Sequence, residues 1–160
     1  MPMPSNSLVM PDGGSFRTLQ PVQDSWKSGQ PVEWIWLYRT VDYVYYNHSA
    51  HVNRGISCFS CHGPVDDMSV IHIAQPHSMA WCLDCHRHPE NYLRPDDQVF
   101  NLDWKPEDVQ PADFVAKYGQ PSDAGEDFSR KKQLTQAEIG QTLKERWKIT
   151  PPTNCQGCHR

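Results

Sequence analysis

Residues 58–62 have the sequence CFSCH, a pair of cysteines separated by two residues with a histidine directly after the second cysteine. The same pattern recurs as CLDCH at residues 82–86 and as CQGCH at residues 155–159. Together the three motifs contain all six cysteines of the chain. A Cys-x-x-Cys-His motif is typical of the covalent attachment of a c-type haem. We therefore predict three c-type haems, each with its iron.

The spacing within each motif suits this chemistry. In a helical turn, residues at positions i, i+3 and i+4 share one face, so the two thiols and the imidazole point to the same side. The thiols can then bond to the two vinyl groups of one porphyrin, and the imidazole can bind the iron as its proximal ligand. The predicted attachment residues are Cys58, Cys61, Cys82, Cys85, Cys155 and Cys158, and the predicted proximal ligands are His62, His86 and His159.

Two other uses of the cysteines also match their spacing. The first two pairs recur after about 20 residues, as in a zinc ribbon, where four thiolates bind one zinc ion. A zinc ribbon would leave the pair at residues 155 and 158 without partners, and it gives no reason for a histidine after every pair. A disulfide framework is the third possibility, but Cys-x-x-Cys pairs followed by histidine are a poor disulfide pattern. We favour haem attachment over both.

The composition favours a loop-rich protein with a small side-chain core. Apolar residues make up 38% of the 160 residues, a share below that of most globular domains, and there are 14 prolines. The mean hydropathy is −0.71. Three buried porphyrins would supply the apolar surface that the side chains lack. We therefore expect a multihaem cytochrome c fold, mostly irregular with short α-helices, little or no sheet, and a core built around three covalent haems.

Charge and hydropathy limit the partners and the location. The formal net charge is −4 and no basic stripe is present, which argues against nucleic acid as a partner. No segment approaches the roughly 18 apolar residues that a membrane-spanning helix needs. The first 14 residues lack the features of a signal peptide, although haem is normally attached outside the cytoplasm. We expect a peripheral protein on the periplasmic or extracytoplasmic face of a membrane.

Residue patterns divide the chain into an arm and one domain. Residues 1–30 are rich in Pro, Ser, Gly and Gln, which predicts an extended N-terminal arm, and residues 31–160 are expected to form a three-haem domain. Within that domain, residues 31–54 are dense in aromatic side chains and indicate a packing patch or a shield for a haem face. Prolines interrupt residues 95–130, for which we expect an irregular surface loop.

One helix is predicted with clear signals, at residues 135–148. Thr135 and Glu138 have the spacing of a capping box. Apolar residues then recur at i, i+4 and i+8 from Ile139, which places them on one helical face.

Each iron needs a second axial ligand if it is to act as a low-spin electron carrier. His48 and His51 are the preferred distal ligands, because they lie three residues apart just before the first motif and could bind two different irons from one turn. The other candidates are Met79, Met68, His77 and His72; a methionine ligand raises the potential of a haem. His88 is too close to its own proximal His86 to bind the same iron, so we expect it to contact a propionate or solvent.

Two stretches carry a resemblance to a known family. They are VDYVYYNHSAHVNRGISCFSCHGPVDDMSVIHIAQPHSMAWCLDCHRHPENYLRP at residues 41–95 and PPTNCQGCHR at residues 151–160, with the lead-in GQPVEWIW at residues 29–36. These stretches resemble the pentahaem cytochrome c subunit of alternative complex III, of the class III multihaem cytochrome c type. The resemblance covers most of the chain from about residue 18 onward. That family has five haem motifs, and the three of this chain resemble the last three.

The resemblance implies a periplasmic electron wire in a quinol-oxidising membrane complex, respiratory or photosynthetic. Electrons would pass from an iron–sulfur subunit or a quinol site to a monohaem cytochrome or a terminal oxidase. The chain would then be an electron carrier and not an enzyme by itself. The alternative is a multihaem reductase of a small nitrogen or sulfur substrate, which needs an open iron with a positioned acid and base. No variant motif marks one iron as open.

Overall fold

A computed structural model describes residues 19–33 and 35–159 of the chain. These residues belong to two compact units, with the boundary between Trp36 and Leu37. The second unit carries all three Cys-x-x-Cys-His motifs. The second unit starts at Leu37, somewhat later than residue 31, where the sequence predicts the start of the haem domain.

The first unit contains helix α1, Gln20–Ser28. The expectation of an extended arm over residues 1–30 is wrong for this helix, while residues 1–18 lie outside the described chain. Pro21 lies in the first turn, where the missing backbone N–H of proline breaks no helical hydrogen bond. Gly29 ends the helix in the left-handed conformation, at a φ of 68°, which glycine adopts without strain.

In the second unit, the described residues form helices joined by irregular segments and short 3₁₀ turns. The helices are α2 (His48–Val52), α3 (Cys58–His62), α4 (Met79–Arg87), α5 (Pro111–Tyr118), α6 (Gln136–Arg146) and α7 (Cys155–Cys158). The described residues contain no sheet, only two isolated bridges, Val44 with His159 and Ile56 with Leu93. None of the described helices has the length and apolar character of a membrane span. A mostly helical and irregular chain without a sheet agrees with the expected class of fold.

The side-chain core of this unit is centred on α6. Ile139 and Leu143 of that helix are both 0% exposed. The buried residues that pack with them are Ile56, Leu93, Trp104, Phe114, Phe128 and Leu134. Burial of apolar surface is the dominant favourable term in folding, and no member of this cluster belongs to a Cys-x-x-Cys-His motif.

Residues 95–130 contribute to this core, so the expectation of an irregular surface loop is wrong for much of the segment. Trp104, Phe114 and Phe128 are buried. The segment also contains α5, a regular helix. The prolines suggested interruptions, but Pro111 occupies the first turn of α5, where proline is favoured because its φ is already helical.

Helix α6 confirms the helix predicted at residues 135–148, and it ends at Arg146. The predicted capping box is present. The Thr135 hydroxyl accepts a hydrogen bond from the N–H of Glu138 at 3.3 Å, and the Glu138 carboxylate accepts one from the N–H of Thr135 at 2.8 Å. These bonds satisfy N–H groups that the first helical turn leaves without partners.

Helix α6 also fixes the chain that follows the second motif. Gln136 Nε2 donates a hydrogen bond to the Leu93 carbonyl oxygen at 2.8 Å, and Lys144 forms an ion pair with Glu90 at 2.8 Å. Gly140 packs against the same segment so closely that a Cβ there would lie 1.8 Å from the Glu90 carbonyl oxygen. The end of α4 is thereby anchored to the core.

Candidate haem-binding sites

The cysteines of each motif lie in a helix that begins at a polar capping side chain, and His159 of the third motif follows α7 in extended backbone. The Ser57 hydroxyl accepts a hydrogen bond from the N–H of Phe59 at 3.3 Å, and the Asn154 side chain accepts one from the N–H of Gly157 at 2.8 Å. Ser78 caps α4, which runs through the second motif. Such caps favour helix initiation, so they fold each motif into the turn in which its thiols share one face.

The six thiols are free, and several of them lie close together. Burial raises the pKa of Cys61 and Cys82, and neighbouring thiols raise both further. Burial likewise raises the pKa of Cys85 to about 12. The charge interactions link Cys61 to Cys82 and Cys82 to Cys158, one cysteine from each motif. The second and third motifs are also linked by geometry, since His86 bonds to the carbonyl oxygen of Pro152 just before the third motif.

The zinc alternative requires four thiolates around one ion. In the part of the chain that the structure describes, no group of three or more His, Cys, Asp or Glu side chains is arranged to hold a metal ion. A thioether sulfur is uncharged, so it is compatible with the partly buried positions of five of the six cysteines.

His62, the histidine of the first motif, has a second imidazole at the distance that axial ligation requires. The ring centroids of His48 and His62 are 6.4 Å apart, and their planes differ by 2°. A metal–nitrogen bond of about 2 Å and a further ~1 Å from nitrogen to ring centre put two opposite axial imidazoles about 6 Å apart. The spacing therefore fits one iron between the two rings.

His86, the histidine of the second motif, forms a similar pair with His51. Their ring centroids are 6.1 Å apart. His51 donates a hydrogen bond from Nδ1 to the Asn47 carbonyl oxygen at 2.9 Å, and His86 donates one from Nδ1 to the Pro152 carbonyl oxygen at 2.6 Å. A metal-ligating histidine commonly gives its other ring N–H to a carbonyl in this way. Each ring thus keeps Nε2 for a metal.

The protonation state of these imidazoles also suits ligation. Burial lowers the pKa of both His51 and His62, and neighbouring histidines lower each further. The hydrogen bond to Asn47 opposes this change at His51 but does not cancel it. Both rings are therefore held towards the neutral form, which is the one that binds iron.

Tyr46 contacts both distal histidines, and the sequence did not single it out. Its ring centroid lies 4.7 Å from that of His48 and 4.6 Å from that of His51. Burial raises the pKa of Tyr46 to about 12, and charge interactions with the four thiols of the first two motifs add to the effect. The aromatic density of residues 31–54 was the available signal, but it does not distinguish Tyr46 from its neighbours.

His159, the histidine of the third motif, has a different environment. Its described ring contact is with Tyr43, at 5.4 Å between centroids. Its Nδ1 atom is buried and has no hydrogen-bond partner among the described residues. The backbone before it is held, since Tyr45 N–H donates to the Cys158 carbonyl oxygen at 2.8 Å. His159 thus differs from His51 and His86, whose Nδ1 atoms donate to carbonyl oxygens.

His77 lies beside the proximal side of the first motif. Its Nε2 bonds to the Cys61 carbonyl oxygen at 2.9 Å, and its ring stacks on Tyr38 and Trp81. The His77 ring is 5.9 Å from that of His62, with the planes at 76°. One ring nitrogen of His77 therefore bonds to the backbone, and the side chain packs against His62.

The structure brings none of the remaining candidates into ring or hydrogen-bond contact with His159 among the described residues. Met79 is 67% exposed at the start of α4. The Met68 methyl group lies against Gly63. His72 approaches the Val70 carbonyl oxygen at 3.4 Å, and His88 Nδ1 lies 3.4 Å from a carboxylate oxygen of Glu90.

The donor set at the first two motifs fits a haem: paired thiols, a proximal imidazole and a second imidazole about 6 Å away at each. No protein-family model matches the chain, and no curated protein matches it at a significant level. The geometry of these residues is therefore the main guide to function.

Proposed function

We propose that this chain is a three-haem electron-transfer subunit. The observation that carries the proposal is the pair of imidazole couples, His48 with His62 and His51 with His86, at 6.4 and 6.1 Å between ring centroids. A haem iron held between two imidazoles can change its oxidation state by one electron without exchanging a ligand.

The residues around the two couples keep the ligands in place. Carbonyl oxygens of Asn47 and Pro152 hold the rings of His51 and His86 by hydrogen bonds. The neighbouring apolar side chains that the polypeptide leaves exposed, such as Tyr43 and Phe59, offer a surface for porphyrin. Fixed ligands and an apolar surround both support a site that transfers electrons and excludes substrate.

The proximity of the motifs supports transfer between the sites. Residues 43–51 contact the histidines of all three motifs, His62, His86 and His159. His86 also bonds to the carbonyl oxygen of Pro152, which lies just before the third motif. The motifs are therefore neighbours in the fold. A chain of neighbouring sites is what an electron wire requires.

The cellular role that we propose rests on the resemblance of residues 41–95 and 151–160. It is a peripheral place on the periplasmic or extracytoplasmic face, within a quinol-oxidising membrane complex similar to alternative complex III. The proposed partners are an iron–sulfur subunit and a monohaem cytochrome. Isolation from native membranes under mild conditions tests this role: co-purification with such subunits supports it, and a chain recovered alone from the soluble fraction contradicts it.

Electron paramagnetic resonance of the oxidised protein tests the proposed chemistry. We expect low-spin ferric signals from the haems of the first two motifs, since both have two imidazole ligands. His48→Ala should convert the first of these signals to high spin, and His88→Ala, at an exposed side chain, is the matched control. A chain that incorporates no haem under conditions of haem maturation would contradict the proposal.

A second candidate function, reduction of a small nitrogen or sulfur substrate, is supported by the third motif alone. The described ring next to His159 is Tyr43 and not a second imidazole. Among the described residues, no imidazole would therefore compete with a substrate for an iron held by His159. Turnover of nitrite or hydroxylamine with a reduced dye would support this function, and a third haem that is low-spin and inert to both would contradict it.

A further inference from the structure

One short segment of the chain contacts all three motifs. This distal segment, residues 43–51, packs Tyr43 on His159 and donates a backbone hydrogen bond from Tyr45 to Cys158. Three residues later it places His48 opposite His62, and at its end it places His51 opposite His86. The distal segment is thus the common element of the three candidate sites.

Tyr46 lies at the centre of the distal segment, between the two distal imidazoles. Its ring is edge-on to His48, with the planes at 80°, and tilted by 36° to His51. Helix α2, which carries both histidines, has five residues and none of them is buried. Packing beneath the helix therefore does not fix these imidazoles, whereas the Tyr46 ring touches both.

We propose that Tyr46 is a positioning residue shared by the first two haem sites, and that its ring holds both distal imidazoles in their axial places at once. The inference rests on the proposed function, because it assigns Tyr46 to ligands of haems. It goes further in making one side chain responsible for two sites, so that their ligand geometries are coupled.

The two histidines depend on Tyr46 to different degrees. His51 has a second restraint, the hydrogen bond from Nδ1 to the Asn47 carbonyl oxygen at 2.9 Å. The described contacts of the His48 ring are with Tyr46 and His62. Loss of the Tyr46 ring should therefore disturb the first site more than the second. It should leave the third site unchanged, because His159 packs on Tyr43.

The test compares Tyr46→Ala, Tyr46→Leu and Tyr46→Phe in the haem-loaded chain by electron paramagnetic resonance, with intact mass to count attached haems. We expect Tyr46→Ala and Tyr46→Leu to shift the low-spin signals of two haems, with a high-spin signal of up to one haem in three. Tyr46→Phe should show the same low-spin signals as the wild type, since the aromatic ring is retained. Tyr43→Ala is the control and should alter the remaining haem alone.

The outcomes separate the inference from the proposed function. A wild-type chain without covalent haem overturns both. Haem-loaded Tyr46→Ala and Tyr46→Leu proteins with all low-spin signals unchanged overturn the shared role of Tyr46 and leave electron transfer standing. A change at only one haem, or a Tyr46→Phe protein that behaves like Tyr46→Leu, also overturns the inference.

Discussion

Two regions of the second unit differ in how many of their side chains are buried. The helices of the motifs and of the distal histidines, α2, α3, α4 and α7, bury none of their described residues. Helix α6 buries Ile139 and Leu143 completely in a cluster of aromatic and aliphatic side chains. Side chains therefore form a core around α6 only. The region of the motifs contains the cysteines and histidines that covalent haem needs, and we expect haem to form its core.

The largest effect should come from withholding haem. A chain produced without haem maturation should lose the ordered structure of α2, α3 and α7, because they bury no side chains and lack the anchor to α6 that the end of α4 has. Helix α6 should keep its protected amides, since its core contains no motif residue. Hydrogen exchange followed by mass spectrometry measures both regions in one experiment. Equal protection of the two regions in the haem-free chain would remove the distinction between them.

The next largest effect should come from Gly140→Ala, which disrupts the packing of the side-chain core. The added Cβ would lie 1.8 Å from the Glu90 carbonyl oxygen, so α6 or the segment after α4 must move. We expect a loss of about 3 kcal/mol in the free energy of unfolding, at the upper end for overpacking. Urea denaturation of the haem-loaded protein provides the measurement.

Gly125→Ala is the matched control for Gly140→Ala, because a Cβ at Gly125 would meet no atom within 4 Å. Its free energy of unfolding should change by less than about 0.5 kcal/mol. The same loss in both variants would mean that close packing of α6 is not the cause.

A smaller and more local effect is expected from His51→Ala. The change removes the imidazole opposite His86 and leaves the side-chain core intact. One haem should become high-spin in the absorption spectrum. The midpoint for unfolding of the core around α6 should equal that of the wild type within experimental error. Recovery of the low-spin spectrum on addition of free imidazole would show that the vacant place is axial. An unchanged spectrum would remove His51 from the ligands.

The smallest effect concerns the ion pair of Glu90 and Lys144. Burial alone would raise the pKa of Glu90, but the hydrogen bond and charge of Lys144 outweigh burial and lower the pKa below its usual value of 4.5. The pair therefore stabilises the folded state above about pH 4.5, and this contribution is lost as the pH falls through the folded pKa. Lys144→Met should cost less than about 1 kcal/mol at pH 7. The difference in unfolding free energy between the variant and the wild type should shrink as the pH falls through the folded pKa of Glu90, and a pH-independent difference would contradict this assignment.

Local patterns in the sequence predicted the parts of the fold that depend on neighbours along the chain. Helix α6 follows from the spacing of Thr135 and Glu138 and the apolar period from Ile139. The positions of the motif helices follow from the motifs themselves. The prolines of residues 95–130 do not by themselves predict helix α5, because Pro111 can either interrupt an element or occupy the first turn of a helix, as it does here.

The pairing of His48 and His51 with their partner histidines shows what local sequence patterns cannot predict. The spacing of His48 and His51 predicts that they can point to two sites, but their partners depend on how the distal segment folds back. The Pro152 carbonyl could not be identified, since it bonds to His86, which lies far from it along the chain. Tyr46 lies close to His48 and His51 in the sequence, but the aromatic pattern around it does not distinguish it from its neighbours. His77 was predicted among the distal candidates, while its place beside Cys61 follows from tertiary packing.

The intact mass of the mature chain after denaturation tests the central claim most directly. We predict the mass of the polypeptide, 18.4 kDa for the full sequence, plus three covalently bound haems. A colourless chain at the mass of the polypeptide alone, with zinc released on denaturation, would contradict the account.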